Sequence, residues 1–177
     1  MGDLVNTLAL PISQRDHVQG AMTAAIALVQ YGDYQCPHCA SIYPVIQTLQ
    51  QQLGEQLCFV YRHFPCPEIH PDAQHAAESA EAAATQGKFW QMHDCLSVNH
   101  QALNNGYLVE YAIALKLDIE QFLREVTSDR YVQRIQEDVE SGKASGVMTT
   151  PTLFINGYRY RDRLDQRTLL NALQATV

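Results

Sequence analysis

The sequence predicts an α/β fold in which a βαβ unit and a ββα unit are separated by a block of helices. Three observations predict it. The apolar, partly β-branched runs 25–31 and 57–64 read as buried strands of a sheet covered on both faces, and they enclose one helix-periodic stretch. From 70 to 145 the apolar residues recur instead at steps of three and four. Asn156-Gly157, set between the apolar run 151–155 and Tyr158-Arg159-Tyr160, is a strong short-range hairpin signal.

Each element can be justified in chain order. Residues 1–23 mix polar and small residues with Pro11 and Gly20, so they read as an arm with one short edge strand and no nameable chemistry; His17 is taken as structural. After the strand 25–31, Ile42, Val45, Ile46, Leu49 and Leu53 form one apolar helical face that ends near Gly54. Pro44 lies inside this helix and is expected to kink it. Strand, helix and the strand 57–64 make a parallel βαβ unit. A loop, Phe64-Pro65-Cys66-Pro67, leaves the sheet, and an alanine-rich helix starts near Pro71 and stops at Gly87. Further helices are predicted over 89–98, 106–115, 119–127 and 131–141. Glu78, Glu81, Glu137, Asp138 and Glu140 are expected on solvated helix faces. After the hairpin, Asp165 is positioned to cap a last helix that puts Leu169, Leu170 and Leu173 on the sheet.

The chemistry concentrates in Cys36-Pro37-His38-Cys39, which follows the first strand and turn and opens the first helix. The first N–H groups of a helix lack partners within it and face its positive dipole end, so a thiolate at Cys36 is favoured over a thiol. Its pKa is expected below the free-thiol value of about 8.5. Pro37 suits a first-turn position. His38 adds positive charge when protonated and a ring N–H donor when neutral, and either favours the thiolate. Cys39, nearly one turn further in, is expected to be less exposed and to act as the resolving thiol.

Cys36-Pro37-His38-Cys39 at a helix start, Thr150-Pro151 far downstream and the helical segment between them resemble the DsbA-like thiol:disulfide oxidoreductases of the thioredoxin superfamily, from about Arg15 to the C-terminus. The resemblance implies a thioredoxin-like domain over 24–69 and 146–177, with 70–145 as an inserted helical subdomain. It implies that Cys36, Cys39 and His38 are catalytic, that Pro37, Thr150 and Pro151 contact substrate, and that no cofactor or metal is needed. It also explains Pro44, since these proteins carry a proline at the corresponding place. Read by itself, Pro151 is a strand-start proline; the resemblance implies a cis peptide opposite the cysteines and a backbone at Thr150 offered to a bound peptide. Thr150 is small and hydroxylated, as in the reductase and isomerase branches as much as the oxidase branch, which leaves the direction of electron flow open. Relatives commonly place a carboxylate six residues before the nucleophile, where this chain has Gln30. Asp33 is closer but reads as a turn residue, so water or His38 is left to move protons for Cys39.

Composition bounds the rest. At 177 residues and 46% hydrophobic the chain suits one domain with an insertion. Its net charge of −7 without a basic cluster argues against nucleic-acid partners. No apolar run approaches the ~20 residues of a membrane span, so no membrane insertion is expected, and a monomer is. Without a recognisable signal the chain as written reads as cytoplasmic, or periplasmic if a signal was removed from a longer precursor. Five cysteines, an odd number, suit one catalytic pair in a reducing compartment. Cys58 and Cys95 read as inert, Cys66 as loop packing, and His63, His70, His75 and His93 as satisfied surface or core residues. The expected activity is disulfide exchange with protein or peptide thiols, with a further redox partner to recycle the pair. Two alternatives are a glutathione-linked transferase or isomerase, disfavoured because that class uses a single serine or cysteine, and a zinc-bound module. The latter would use Cys36, Cys39, Cys66 and His70, and a metal there would block the nucleophile.

Overall fold

The computed structural model describes residues 7–177. β2 (Ile26–Gly32) and β3 (Leu57–His63) lie side by side and parallel, with Leu28 opposite Phe59. Two like-directed strands need a crossover, and α1 (Pro37–Leu53) followed by a tight turn over Gly54–Gln56 supplies it. The helix runs on through Pro44, which is exposed on its outer side. The arm contributes β1 (His17–Gln19), antiparallel to β3 at one edge. At the other side β4 (Thr152–Ile155) pairs antiparallel with β2, and β5 (Tyr158–Arg159) with β4. The sheet order is therefore β1-β3-β2-β4-β5.

The sheet is covered on both faces, as its apolar strands require. Leu28, Phe59 and Tyr61 face a large core shared with Ile42, Ile46 and Leu49 of α1. Val29, Tyr31, Cys58, Val60 and Phe154 point the other way and pack with Leu8, Ile12 and Val147. Between β3 and β4 come α2 (Ala73–Ala84), α3 (Phe89–Val98), α4 (Asn105–Ala114), α5 (Ile119–Val126) and α6 (Val132–Ala144). α6 comes close to the sheet because Gly142 has no side chain: a Cβ there would sit 2.8 Å from the Phe64 ring. α7 (Gln166–Gln174) packs beside α1, with Asp165 accepting the Thr168 N–H at 3.0 Å and Leu169 and Leu173 buried. The architecture is the thioredoxin-like α/β fold with helices between the βαβ and ββα parts.

Two expectations need correction. Residues 1–6 of the expected arm lie outside the described residues. Residues 7–23 do carry a short edge strand, but they also anchor a buried ion pair that the sequence did not show, because Arg62, 2% exposed in a strand read as mostly apolar, reaches back to them. Its Nε donates to Asp16 at 2.8 Å, and its Nη atoms donate to the Leu10 and Pro11 carbonyls at 3.0 and 3.2 Å. Nor are the acidic residues of the helices all solvated: Glu78, Glu81 and Asp138 are buried, while Glu137 and Glu140 are exposed. Asp138 is paired with Arg15 and Arg134 and accepts the His63 backbone N–H at 3.0 Å. Glu81 accepts from Nε2 of both His17 and His63, at 2.8 and 2.9 Å. Burial opposes ionisation of Glu81, but these two bonds outweigh it and hold the carboxyl well below its usual range. A helical period reports which residues share a face; it does not report that a partner from another element covers that face.

Candidate active site

Cys36 is the N-cap residue of α1, with extended backbone and Pro37 behind it at the helix start. The turn that puts it there is built on Asp33, which is 1% exposed. Asp33 Oδ1 accepts the Gln35 N–H at 2.8 Å, and Oδ2 accepts the Cys66 N–H at 2.9 Å and pairs with His70 Nδ1 at 2.8 Å. Gln35 in turn accepts the Asp72 N–H at 2.8 Å. Strand end, Cys66 loop and entry to α2 are thus tied to one buried carboxylate, a structural duty that engages both of its oxygens.

Thr150 and Pro151 approach from the start of β4, and the peptide bond between them is cis. The Cys36 thiol donates to the Thr150 carbonyl oxygen at 3.4 Å. This cover leaves Cys36 only 4% exposed, slightly less than Cys39 at 7%, so exposure does not rank the two thiols as the sequence suggested. Electrostatics does. A hydrogen bond from the Cys39 thiol is the largest influence on Cys36; burial opposes it, and the Thr150 side chain and the backbone N–H groups of Cys39 and His38 add to it, lowering Cys36 to about 5. Cys39 is pushed well up, first by burial and then by its bond and proximity to the Cys36 sulfur. Both cysteines are free thiols here. His38 is exposed, and what it brings to the sulfur is its backbone N–H, where the sequence pointed to its imidazole. Pro37 is exposed beside it.

Gln30 is 5% exposed in β2. With Cys39, Tyr34, Tyr61 and His93 it borders a narrow cavity of about 10 Å³, roughly one water molecule. His93 shares a 3.0 Å hydrogen bond with the Tyr34 hydroxyl. Burial, and then the neighbouring His63 and His17, lower its pKa to about 3 and keep it neutral. Among the described residues the ligand atoms of Cys36, Cys39, Cys66 and His70 do not converge; those of His17, His63 and Glu81 do. That set was missed because its members lie on β1, β3 and α2 and only the folded sheet brings them together. Cys58 is buried, and burial raises the thiols of Cys58, Cys66 and Cys95 alike. Two exposed apolar side chains also went unnoticed: Met148, 82% exposed and two residues before Thr150, and Ile69, 72% exposed in the turn between Cys66 and His70.

A family model described as thioredoxin matches residues 13–175. The chain belongs to the thioredoxin family. Its fold is that of BdbD from Bacillus subtilis, with a TM-score of 0.86 over 99% of this chain and 98% of that one at 18% identity. It also matches the thiol-disulfide exchange protein alpha-DsbA2 from Wolbachia pipientis, with a TM-score of 0.78 at 19% identity, covering 93% of this chain and 88% of that one. For the catalytic domain of Proteus mirabilis ScsC the score is 0.79 at 19% identity, covering 95% and 92%. Among curated sequences, a protein named Na(+)/H(+) antiporter NhaA 1 from Mycolicibacterium gilvum is 40% identical over 164 residues, 92% of this chain and 27% of that protein. The chain thus spans about a quarter of the length of the curated relatives it matches. No helix among the described residues is long and apolar enough to cross a membrane.

Proposed function

We propose that this thioredoxin-family chain is a thiol:disulfide oxidoreductase of the DsbA type that passes disulfides to protein or peptide thiols through Cys36 and Cys39. One observation carries the reading: Cys36 is held to about 5 at a helix N-terminus while Cys39 beside it is driven up. One sulfur is prepared to leave and be attacked, the other to keep its proton. In the oxidised enzyme a substrate thiolate attacks Cys36 Sγ. The new S–S bond joins substrate to Cys36, the Cys36–Cys39 bond breaks, and its electron pair goes to Cys39, which takes up a proton. A second substrate thiolate then attacks the substrate sulfur of the mixed disulfide. The substrate disulfide forms, Cys36 leaves as a stable thiolate, and the enzyme holds two electrons that a disulfide of a recycling partner must remove. Because thiolate stabilisation favours the reduced enzyme, it makes the disulfide the stronger oxidant, and we assign the donor direction.

Substrate would lie along Thr150 and Pro151, with main-chain bonds to the Thr150 peptide and apolar side chains against Met148, Ile69 and Pro37. Such a surface tolerates many sequences. The same exchange is what we assign to the stretch shared with the antiporter-named relatives; ion transport is not assigned to it. The test is a dithiol peptide oxidised under a glutathione redox buffer. Cys36→Ser is expected to abolish turnover, and Cys39→Ser, which cannot close the enzyme disulfide, to accumulate a mixed disulfide of glutathione on Cys36, detectable by mass. Turnover retained by Cys36→Ser would reject the assignment.

A further inference from the structure

Away from the cysteines, α2, α4 and α5 enclose a cleft of about 340 Å³, within the range of small-molecule sites. Its floor is apolar, with Leu108 and Phe122 buried and Val126 half-buried. Set into that wall is Glu78, 2% exposed. Oε1 of Glu78 accepts a hydrogen bond from Gln74 at 3.0 Å, and its other oxygen has no hydrogen-bond partner among the described residues. No lysine or arginine lines the cleft. His75, on the rim, is turned to Asn105 at 3.0 Å, and Asp129 adds a second acidic group. The Glu78 carboxylate thus sits beside apolar side chains with one oxygen open to the cleft and only His75 near it as a cationic group.

We propose that this cleft binds a small organic cation, an ammonium on an apolar body, with its head on the free Glu78 oxygen and its body against Leu108, Phe122 and Val126. The two parts of the ligand answer the two parts of the site. An anion would meet Glu78 and Asp129, and a neutral molecule would gain the apolar contacts while leaving the carboxylate unpaired. The site contains none of Cys36, Cys39, Thr150 or Pro151, so it stands whether or not the exchange reaction is as assigned.

The whole chain titrated with n-hexylammonium, 1-hexanol and hexanoate, followed by amide chemical shifts, tests it. Hexylammonium is expected to bind at millimolar or lower concentration with shifts confined to α2, α4 and α5, about tenfold or more tighter than hexanol, and hexanoate not at all. Glu78→Gln keeps the shape of the side chain and is expected to erase the preference of amine over alcohol. Val126→Trp fills the cleft and is expected to remove both. Equal binding of amine and alcohol by the unaltered chain, no binding by either at millimolar concentration, or shifts centred elsewhere would overturn the proposal. The unaltered chain decides these three even if a variant fails to fold.

Discussion

At the scale of single residues, the sulfur of Cys36 is set by groups that differ in what a substitution can remove. Thr150 contributes through its side chain and His38 through its backbone N–H, which survives a change of side chain. Thr150→Val is therefore expected to raise the Cys36 pKa, and His38→Ala to move it by no more than about one unit. Thiolate absorbance titrations of the reduced variants would check both; a larger shift for His38→Ala than for Thr150→Val would reverse the ranking. The motifs were enough to place Cys36 and Cys39 at the start of α1 and to expect the cis peptide at Pro151. The rank of the helpers was not legible, because whether His38 turns its ring or only its N–H to a sulfur is decided by rotamer and neighbours. The Thr150 carbonyl over Cys36 was equally hidden, since it comes from a chain segment 114 residues away.

Elements were legible where periodicity was strong. β2, β3, α1, α3 and α5 fall within a residue or two of their predicted ends, as short apolar runs and clean helical faces should. What periodicity cannot convey is a charge buried by a partner elsewhere, and the arm shows it. Arg62 on β3 holds Asp16 in a bidentate pair, with neither side chain more than 2% exposed. Arg62→Met leaves a buried carboxylate unpaired and is expected to cost about 3–5 kcal/mol, whereas Arg62→Met with Asp16→Leu should cost clearly less. Urea unfolding of both variants measures this; equal losses would mean that the arm is held by its backbone and apolar contacts instead. The same limit explains Glu81 and Asp138, which fit the outer face of a helix on a wheel and are inside the molecule because His17 and His63 meet Glu81 and Arg15 meets Asp138 from other elements, with Arg134 joining Asp138 from one turn earlier in α6 itself.

For the whole molecule, the two cysteines tie stability to pH and redox state. The folded reduced chain releases the Cys36 proton near pH 5, while an unfolded thiol keeps its proton to about 8.5, so between these values the unfolded state binds more protons. Stability of the reduced form is thus expected to rise with pH across that window and to fall away as pH drops through 5. The disulfide form lacks this group, so its lead over the reduced form should shrink, or its deficit grow, as pH rises. Denaturant unfolding of both forms from pH 5 to 8 checks the sign. The most direct measurement is the rate of alkylation at each cysteine of the reduced chain against pH, resolved by peptide mass. Cys36 is expected to react with a midpoint near pH 5 while Cys39 stays protected beyond the ordinary thiol range. A Cys36 midpoint near the free-thiol value of about 8.5, or Cys39 alkylated first, would contradict the asymmetry on which the proposed exchange rests.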